Sequence, residues 1–443
     1  MRHRESAWKA DIDLVRDTLF SQHPLFSLDE KTSRLNDFRI YARSTKAEID
    51  KQLSALKEEI LGKSDVELLV KLSEIVALIS GNQLVGDGHT AIIFPHHMCA
   101  SFPVQFKWFE SGYYMHVIRD GEYPESSTLK ELLGSQLKAI NGIELPILAK
   151  KMKLLTNYDN SIHNCLNTAD RIRQPLWLYG LDIISSLDEK PFFTLVNSNG
   201  GESTIQLSSL DQAGDGLDIA TLDPPSFSGY ILARSANNAL YNHWVEPYTI
   251  DYLECYDILH IRVYSFHIDD TLFNQRMYPE LKTALSECEK RGYTTKVVID
   301  VRNNLGGYNG VPEMLSGVFI PHMRGFGAGS LYMLINEGTY SAGITAIKRF
   351  KADYDITIVG SQTAGRVQFF GCTNWCHLPY TDSYLKVSQC AVFDCELDAK
   401  NMAEQKSSII PDITIPYLPS DYLAAKDPQF EWILTQKIGG RNA

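Results

Sequence analysis

Apolar positions repeat with a helical period at the start of the chain. Trp8, Ile12, Leu14, Val15 and Leu19 fall on one helical stripe. Further on, Thr45-Lys-Ala-Glu48 stands before Ile49, Leu53 and Leu56, and Ser64-Asp-Val-Glu67 stands before Leu68-Leu-Val70, Leu72 and Ile75-Val-Ala-Leu-Ile79. A Ser or Thr followed three residues later by Glu satisfies free amides of a first helical turn, so both stretches predict capped amphipathic helices. Beyond residue 100 the period changes. Phe102-Pro-Val-Gln-Phe106, Tyr113-Tyr-Met-His-Val-Ile118, Phe192-Phe-Thr-Leu-Val196 and Thr204-Ile-Gln-Leu207 read as strands, and Asn141-Gly142 as a two-residue hairpin turn. Residues 101–210 are thus a β-rich middle. Gly214-Asp-Gly216 and Pro224-Pro-Ser-Phe-Ser-Gly229 mark 211–240 as a linker.

After the linker the two periods alternate. Ile258-Leu-His-Ile-Arg-Val-Tyr264 is read as the first strand of a domain, and residues 272–289 as a helix. Lys296-Val-Val-Ile-Asp-Val301 is apolar enough for a strand buried on both faces, and it stops at Arg302-Asn-Asn-Leu-Gly-Gly307. A helix follows over 311–320, a strand over 330–336, and then Glu337-Gly-Thr-Tyr-Ser341, a turn with a serine at its tip. A helix over 342–350 and a strand over 355–360 complete the run. The alternation predicts an α/β sheet covered on both faces and joined by right-handed crossovers. Strands at 384–387 and 390–393 and a final helix from Asp427 close the chain.

Composition narrows the function classes. With 443 residues, 44% hydrophobic and 22% charged, the chain is of globular type with two or three domains. A net charge of −12 with no Lys/Arg-rich block argues against a nucleic-acid partner. No window reaches 18 uninterrupted apolar residues, so no membrane span is expected, and no apolar stretch follows the charged N-terminus, which points to the cytoplasm. The eight cysteines are scattered, and free thiols are the expectation. Cys372-x-x-x-Cys376-His377 lacks a second ligand cluster, so no metal is expected, and His96-His97 reads as a solvated loop pair.

The candidate chemistry lies at the serine turn. A serine where a strand passes into a helix exposes its hydroxyl at the strand end. The Ala342 amide then stands at a helix N-terminus, where it can donate to a developing oxyanion. Gly306 or Gly307, from the neighbouring strand end, can supply a second donor.

Three segments here carry a family resemblance. Ile299-Asp-Val-Arg-Asn-Asn-Leu-Gly-Gly307 resembles the Asp-Leu-Arg-x-Asn-Pro-Gly-Gly strand end of the tail-specific (C-terminal-processing) serine peptidases. Asn336-Glu-Gly-Thr-Tyr-Ser-Ala-Gly343 resembles their nucleophile segment, and Gly360-Ser-Gln-Thr-Ala-Gly-Arg366 their Gly-Glu-x-Thr-x-Gly-Lys segment. In the Ser-Lys branch the lysine closing that third segment is the general base. Arg366 stands there instead, 25 residues after the serine, and a guanidinium cannot accept the serine proton. The resemblance therefore implies the His-dependent, tricorn-core-like branch. Gly86-Asp-Gly-His-Thr90 is similar to the histidine segment of that branch, which gives the base role to His89. Met402-Ala-Glu-Gln-Lys-Ser-Ser-Ile-Ile-Pro-Asp412 resembles a segment whose acidic residue orients the histidine; Glu404 is the best match and Glu396 the alternative. Gly134-Ser-Gln-Leu-Lys-Ala-Ile-Asn-Gly142 resembles the turn of PDZ modules, with Ser135 where aspartate is usual.

The resemblance implies an N-terminal helical domain over 1–90, a PDZ-like domain over 91–210, a linker over 211–240 and a crotonase-like ββα peptidase domain over 241–443. It also implies peptide or unfolded-protein substrates and no cofactor. Two rivals remain. One is a non-catalytic relative that binds peptides. The other is an α/β-hydrolase, disfavoured because Thr339-Tyr-Ser-Ala-Gly343 lacks the first glycine of that elbow and only His377 follows the serine.

Overall fold

The computed structural model describes residues 2–27, 45–80, 86–95, 98, 100–121, 123–210, 230–233, 246–292, 294–322, 326, 329–392 and 407–437. Glu396, Glu404, the pair His96-His97 and most of the 211–240 linker lie outside the described residues. Contacts divide the chain into two units. One holds residues 1–221, 227–233 and 368–407; the other holds 222–226, 234–367 and 408–443.

The first unit begins with the helix Arg2–Gln22, whose Trp8, Ile12, Val15 and Leu19 are fully buried as their spacing predicts. Thr45 accepts the Glu48 amide at the start of the Lys46–Glu59 helix, and Ser64 and Glu67 form the full reciprocal box at the start of Asp65–Ala77. Asp65 accepts from Trp8 Nε1 at 2.8 Å and from Arg4 Nη2 at 2.7 Å, which ties the first helix to the start of the third of these. The main sheet is antiparallel, in the order Val104–Phe109, Gly112–Arg119, Gln136–Ile140, Phe192–Val196, Glu202–Gln206. Asn141 (φ 47°) and Gly142 (φ 76°) turn the chain between the paired residues Ile140 and Ile143, the two-residue hairpin that Asn-Gly favours.

Two expectations for this unit need correction. The β-rich middle also holds the helices Ser126–Leu132, Leu145–Met152, Ser161–Arg171 and Pro175–Gly180. In the last of these Pro175, Leu176, Trp177 and Leu178 are all buried, so no polar face betrays a helical period. The expectation of free thiols fails at one pair, since Cys372 and Cys390 are joined in a disulfide. The short strand Phe369–Gly371 pairs antiparallel with Cys390–Val392, and this register brings the two Cα atoms to 5.6 Å. Cys372 is therefore not available as a metal ligand. A separate three-stranded sheet pairs Ala91–Ile93 and Asn374–Leu378 with Ser383–Val387.

The second unit is built on a six-stranded sheet in the order Tyr248–Leu253, Ile258–Val263, Lys296–Asp300, Leu331–Ile335, Thr357–Gly360, Ile413–Thr414. All neighbours are parallel except the first pair. Tyr248–Leu253 thus precedes the strand read as first; its half-exposed edge residues lack the apolar run of the central strands. Ile258, Val298, Tyr332, Leu334 and Val359 pack with Phe430 and Ile433 of the closing helix Pro428–Thr435. Val297, Ile299 and Met333 alternate to the other face and are equally buried. The helices Tyr278–Lys290, Gly310–Phe319 and Ala342–Asp353 connect these strands. Among the described residues, no helix is long and apolar enough to cross a membrane.

A buried charge network locks the sheet to its closing helix. The Arg302 guanidinium donates to Asp300 (3.0 and 2.7 Å) and to Asp427 (2.8 and 2.8 Å), and Asp427 caps the helix by accepting the Phe430 amide. Burial alone would raise the Asp300 carboxyl. The charges of Arg302 and Arg262 and the hydrogen bonds from His260 and Arg302 override it and hold the group well below the usual carboxylate range. Asp427→Ala removes one of the two carboxylates on the buried Arg302 guanidinium together with the helix cap, and we expect a loss of about 3–5 kcal/mol in urea unfolding; a loss under about 1 kcal/mol contradicts this role.

Candidate active site

Ser341 ends the turn between the strand Leu331–Ile335 and the helix Ala342–Asp353. Its backbone has φ 53° and ψ −120°, a region that non-glycine residues avoid. Such a conformation costs about 1–3 kcal/mol and persists only where the surroundings impose it. Here they do. Asn336 Oδ1 accepts the amides of Gly338 (3.0 Å) and Asn303 (2.8 Å), and its Nδ2 donates to Asn303 Oδ1 (2.8 Å). Thr339 Oγ1 donates to the Val301 carbonyl and accepts the Asn336 amide. The Tyr340 amide donates to the Asn304 carbonyl at 2.9 Å. Serine turn and glycine turn are therefore one hydrogen-bonded body. Asn303, Asn304, Asn336 and Thr339 carry it, and sequence reading gave them no role; their side chains act on the backbone of the next strand end, so spacing alone does not announce them.

The glycine turn lies against the serine. A Cβ on Gly306 (φ 103°) would fall 2.6 Å from Ser341 Cβ and 2.8 Å from the Ala342 nitrogen. On Gly307 (φ 143°) it would fall 2.1 Å from the Phe266 carbonyl carbon. The two candidate donors are not equivalent. The Gly306 amide donates to Asn304 Oδ1 at 2.8 Å. Phe266 bonds through its amide to the Gly306 carbonyl and through its carbonyl to the Tyr308 amide, so Gly307, between them, points its own amide and carbonyl the other way. Ala342 is the first helical residue, and its amide has no intrahelical acceptor.

The third matched segment closes on the same turn. The Ala364 amide donates to the Glu337 carbonyl at 3.1 Å and the Gly365 amide to the Thr339 carbonyl at 3.4 Å, while Ser361 Oγ donates to Glu337 Oε2 at 2.8 Å. Thr363 and Gln362 bond onward to Ile409 and Ser408. Arg366 is buried.

His89 belongs to the first unit, where it is buried and stacks on Phe369 with ring centroids 5.7 Å apart. Its loop is organised by Asp87. One carboxylate oxygen accepts the amides of His89 (2.9 Å) and Thr90 (3.2 Å) and the Ser388 hydroxyl (2.9 Å); the other meets His23 Nε2 at 2.9 Å. Burial would raise the Asp87 carboxyl, but the hydrogen bond and charge of His23, with His89 and Thr90, hold it well below the usual range. Burial, then the charge of Lys386, push the His89 imidazolium down to about 4, with Asp87 pulling upward. Desolvation, then the charge of His89, pushes the half-buried His163 down to about 3. The second unit thus gathers Ser341, Gly306, Gly307 and Ala342, and the first holds His89.

No model of a protein family matches this sequence, and no curated protein is similar to it. Solved structures are. Mature CPAF matches with a TM-score of 0.55 at 12% identity, over 97% of this chain and 96% of that one. Mature CPAF complexed with lactacystin matches with a TM-score of 0.55 at 11% identity, over 97% of both chains. A photosystem II D1 C-terminal processing protease matches over 86% of this chain and 92% of that one, at 14% identity and a TM-score of 0.36. From the two CPAF matches, the chain has the fold of CPAF.

Because its new methyl group would push against Ser341, Gly306→Ala is expected to lower kcat of any Ser341-dependent hydrolysis at least about 100-fold, with an unchanged circular dichroism spectrum. Activity within a few-fold of the parent refutes that packing.

Proposed function

We propose that the protein is a serine peptidase of the His-dependent tail-specific type. The observation that carries this reading is Ser341: a strained serine at a strand-to-helix turn, set against a glycine turn and followed by a helix start. In this reading Ser341 Oγ attacks the peptide carbonyl and His89 takes the hydroxyl proton. The amides of Ala342 and Gly307 hold the oxyanion, each donor contributing about 3–4 kcal/mol to the transition state. Collapse of the tetrahedral adduct breaks the C–N bond, and the leaving amine takes the proton from His89. Water, deprotonated by the same imidazole, then releases the acyl group. A neutral imidazole is the form a base needs, and burial keeps His89 neutral.

Glu404, with Glu396 as the alternative, takes the orienting role from the sequence resemblance. The sheet built on Val104–Phe109 to Glu202–Gln206 is proposed as the PDZ-like module and the six-stranded unit as the crotonase-like one, with domain limits of 1–90, 91–210, 211–240 and 241–443. Substrates are peptides or unfolded proteins, and no cofactor takes part. One observation favours a second reading, a peptide-binding relative without catalysis: Arg366 stands where the Ser-Lys branch has its base.

A fluorophosphonate probe separates the two. Labelling is expected at Ser341, absent in Ser341→Ala and reduced by orders of magnitude in His89→Ala; an unlabelled parent protein supports the binding-only reading. The acid limb of kcat/KM is expected near pH 4, the depressed His89 value, and a midpoint near the ordinary 6.5 removes His89 from the base role. The unfolded chain takes up this proton near 6.5 and the folded one only near 4, so stability is expected to fall across that window as pH drops.

A further inference from the structure

The glycine turn leaves two large apolar side chains in solvent. Leu305 is 38% exposed and Tyr308 56% exposed, and they bracket Gly306 and Gly307. The backbone that carries them is fixed. Fully buried Phe266 bonds to the Gly306 carbonyl at 2.8 Å and receives the Tyr308 amide at 2.9 Å. The Tyr308 ring meets His267 edge-on with centroids 5.7 Å apart, and His267 Nδ1 lies 3.1 Å from Ser265 Oγ. Leu305 immediately precedes the residue whose backbone packs against Ser341. Exposed apolar side chains thus stand one residue on either side of the glycine pair that packs on Ser341.

We infer that Leu305 and Tyr308, with His267 behind the tyrosine ring, form the subsite for an apolar side chain next to the scissile bond. This rests on the peptidase reading and adds to it the class of residue at which the chain cuts. An apolar substrate residue covers surface that water now contacts, and burying such surface is favourable by about 25 cal/mol per Å². Neither Leu305 nor Tyr308 offers a charge, and His267 Nδ1 already meets Ser265 Oγ, so a charged substrate residue gains little there for its desolvation. Leucine, methionine and phenylalanine fit; aspartate, glutamate and lysine do not.

The test uses the full chain and a peptide mixture whose cleavage sites are read by mass spectrometry, with Leu305→Ala, Tyr308→Ala and Tyr308→Phe compared with the parent. Fluorophosphonate labelling at Ser341 is measured in parallel. The parent is expected to enrich large apolar residues beside the cut. Tyr308→Ala and Leu305→Ala are expected to lower kcat/KM at least about tenfold for peptides with leucine or phenylalanine there, and by less than about twofold for alanine there. Tyr308→Phe keeps the parent preference, and all four proteins label at similar rates. Labelling and cleavage with an unaltered preference in both alanine variants overturn the subsite and leave the peptidase reading standing. A parent protein that takes no label overturns both.

Discussion

Asn303 and Asn336 hold each other by side chain and backbone, and the geometry of the Ser341 turn follows from that grip. The two residues follow the ends of neighbouring parallel strands, in which Asp300 lies opposite Leu334 in register. At a strand end the ladder stops and its polar groups need new partners. Asn336 supplies them with one carboxamide, taking the amides of Gly338 and Asn303 and giving a proton to Asn303 Oδ1. The approach is close enough that a Cβ on Gly338 would fall 2.6 Å from Asn303 Oδ1. Held this way, the chain enters Ser341 with a positive φ that would otherwise relax, and the hydroxyl stays at the helix start.

The same logic operates at larger scale. Arg302, next to Asn303, fastens the glycine turn to the closing helix through Asp427, so residues 125 positions apart brace one turn. Around His89 the brace is Asp87, a buried carboxylate that collects the loop's own amides, a histidine from residue 23 and a serine from residue 388. Each unit therefore braces one loop with a buried carboxylate whose pKa its partners hold down. Buried charges so paired are costly to break and leave few alternative arrangements for the loop they hold.

Much of this was legible in the chain. The strand, glycine turn, helix, strand, serine turn, helix order was visible because buried parallel strands are unbroken apolar runs and the turns between them are punctuated by glycine. Both capped N-terminal helices and the Asn141-Gly142 hairpin were visible because the chemistry that makes them is local. Less was visible where burial or long-range pairing decides. The helix Pro175–Gly180 is apolar on every side, the edge strand Tyr248–Leu253 is half polar, and the Cys372–Cys390 bridge depends on a two-stranded register that spacing does not reveal. The serine turn at 341 and the glycine pair that packs on it could be found from motif and spacing. That the Gly306 amide is already bonded to Asn304 could not, since only the folded turn shows which way each amide points.

A peptide chloromethyl ketone with an apolar terminal residue tests the Ser341–His89 partnership most directly. Such a reagent is captured by the serine and alkylates the imidazole that serves it. Peptide mapping is expected to find the adduct on His89, and to find none in Ser341→Ala. An adduct on another histidine, such as His267, or an adduct on His89 that persists without Ser341, contradicts the proposed pair.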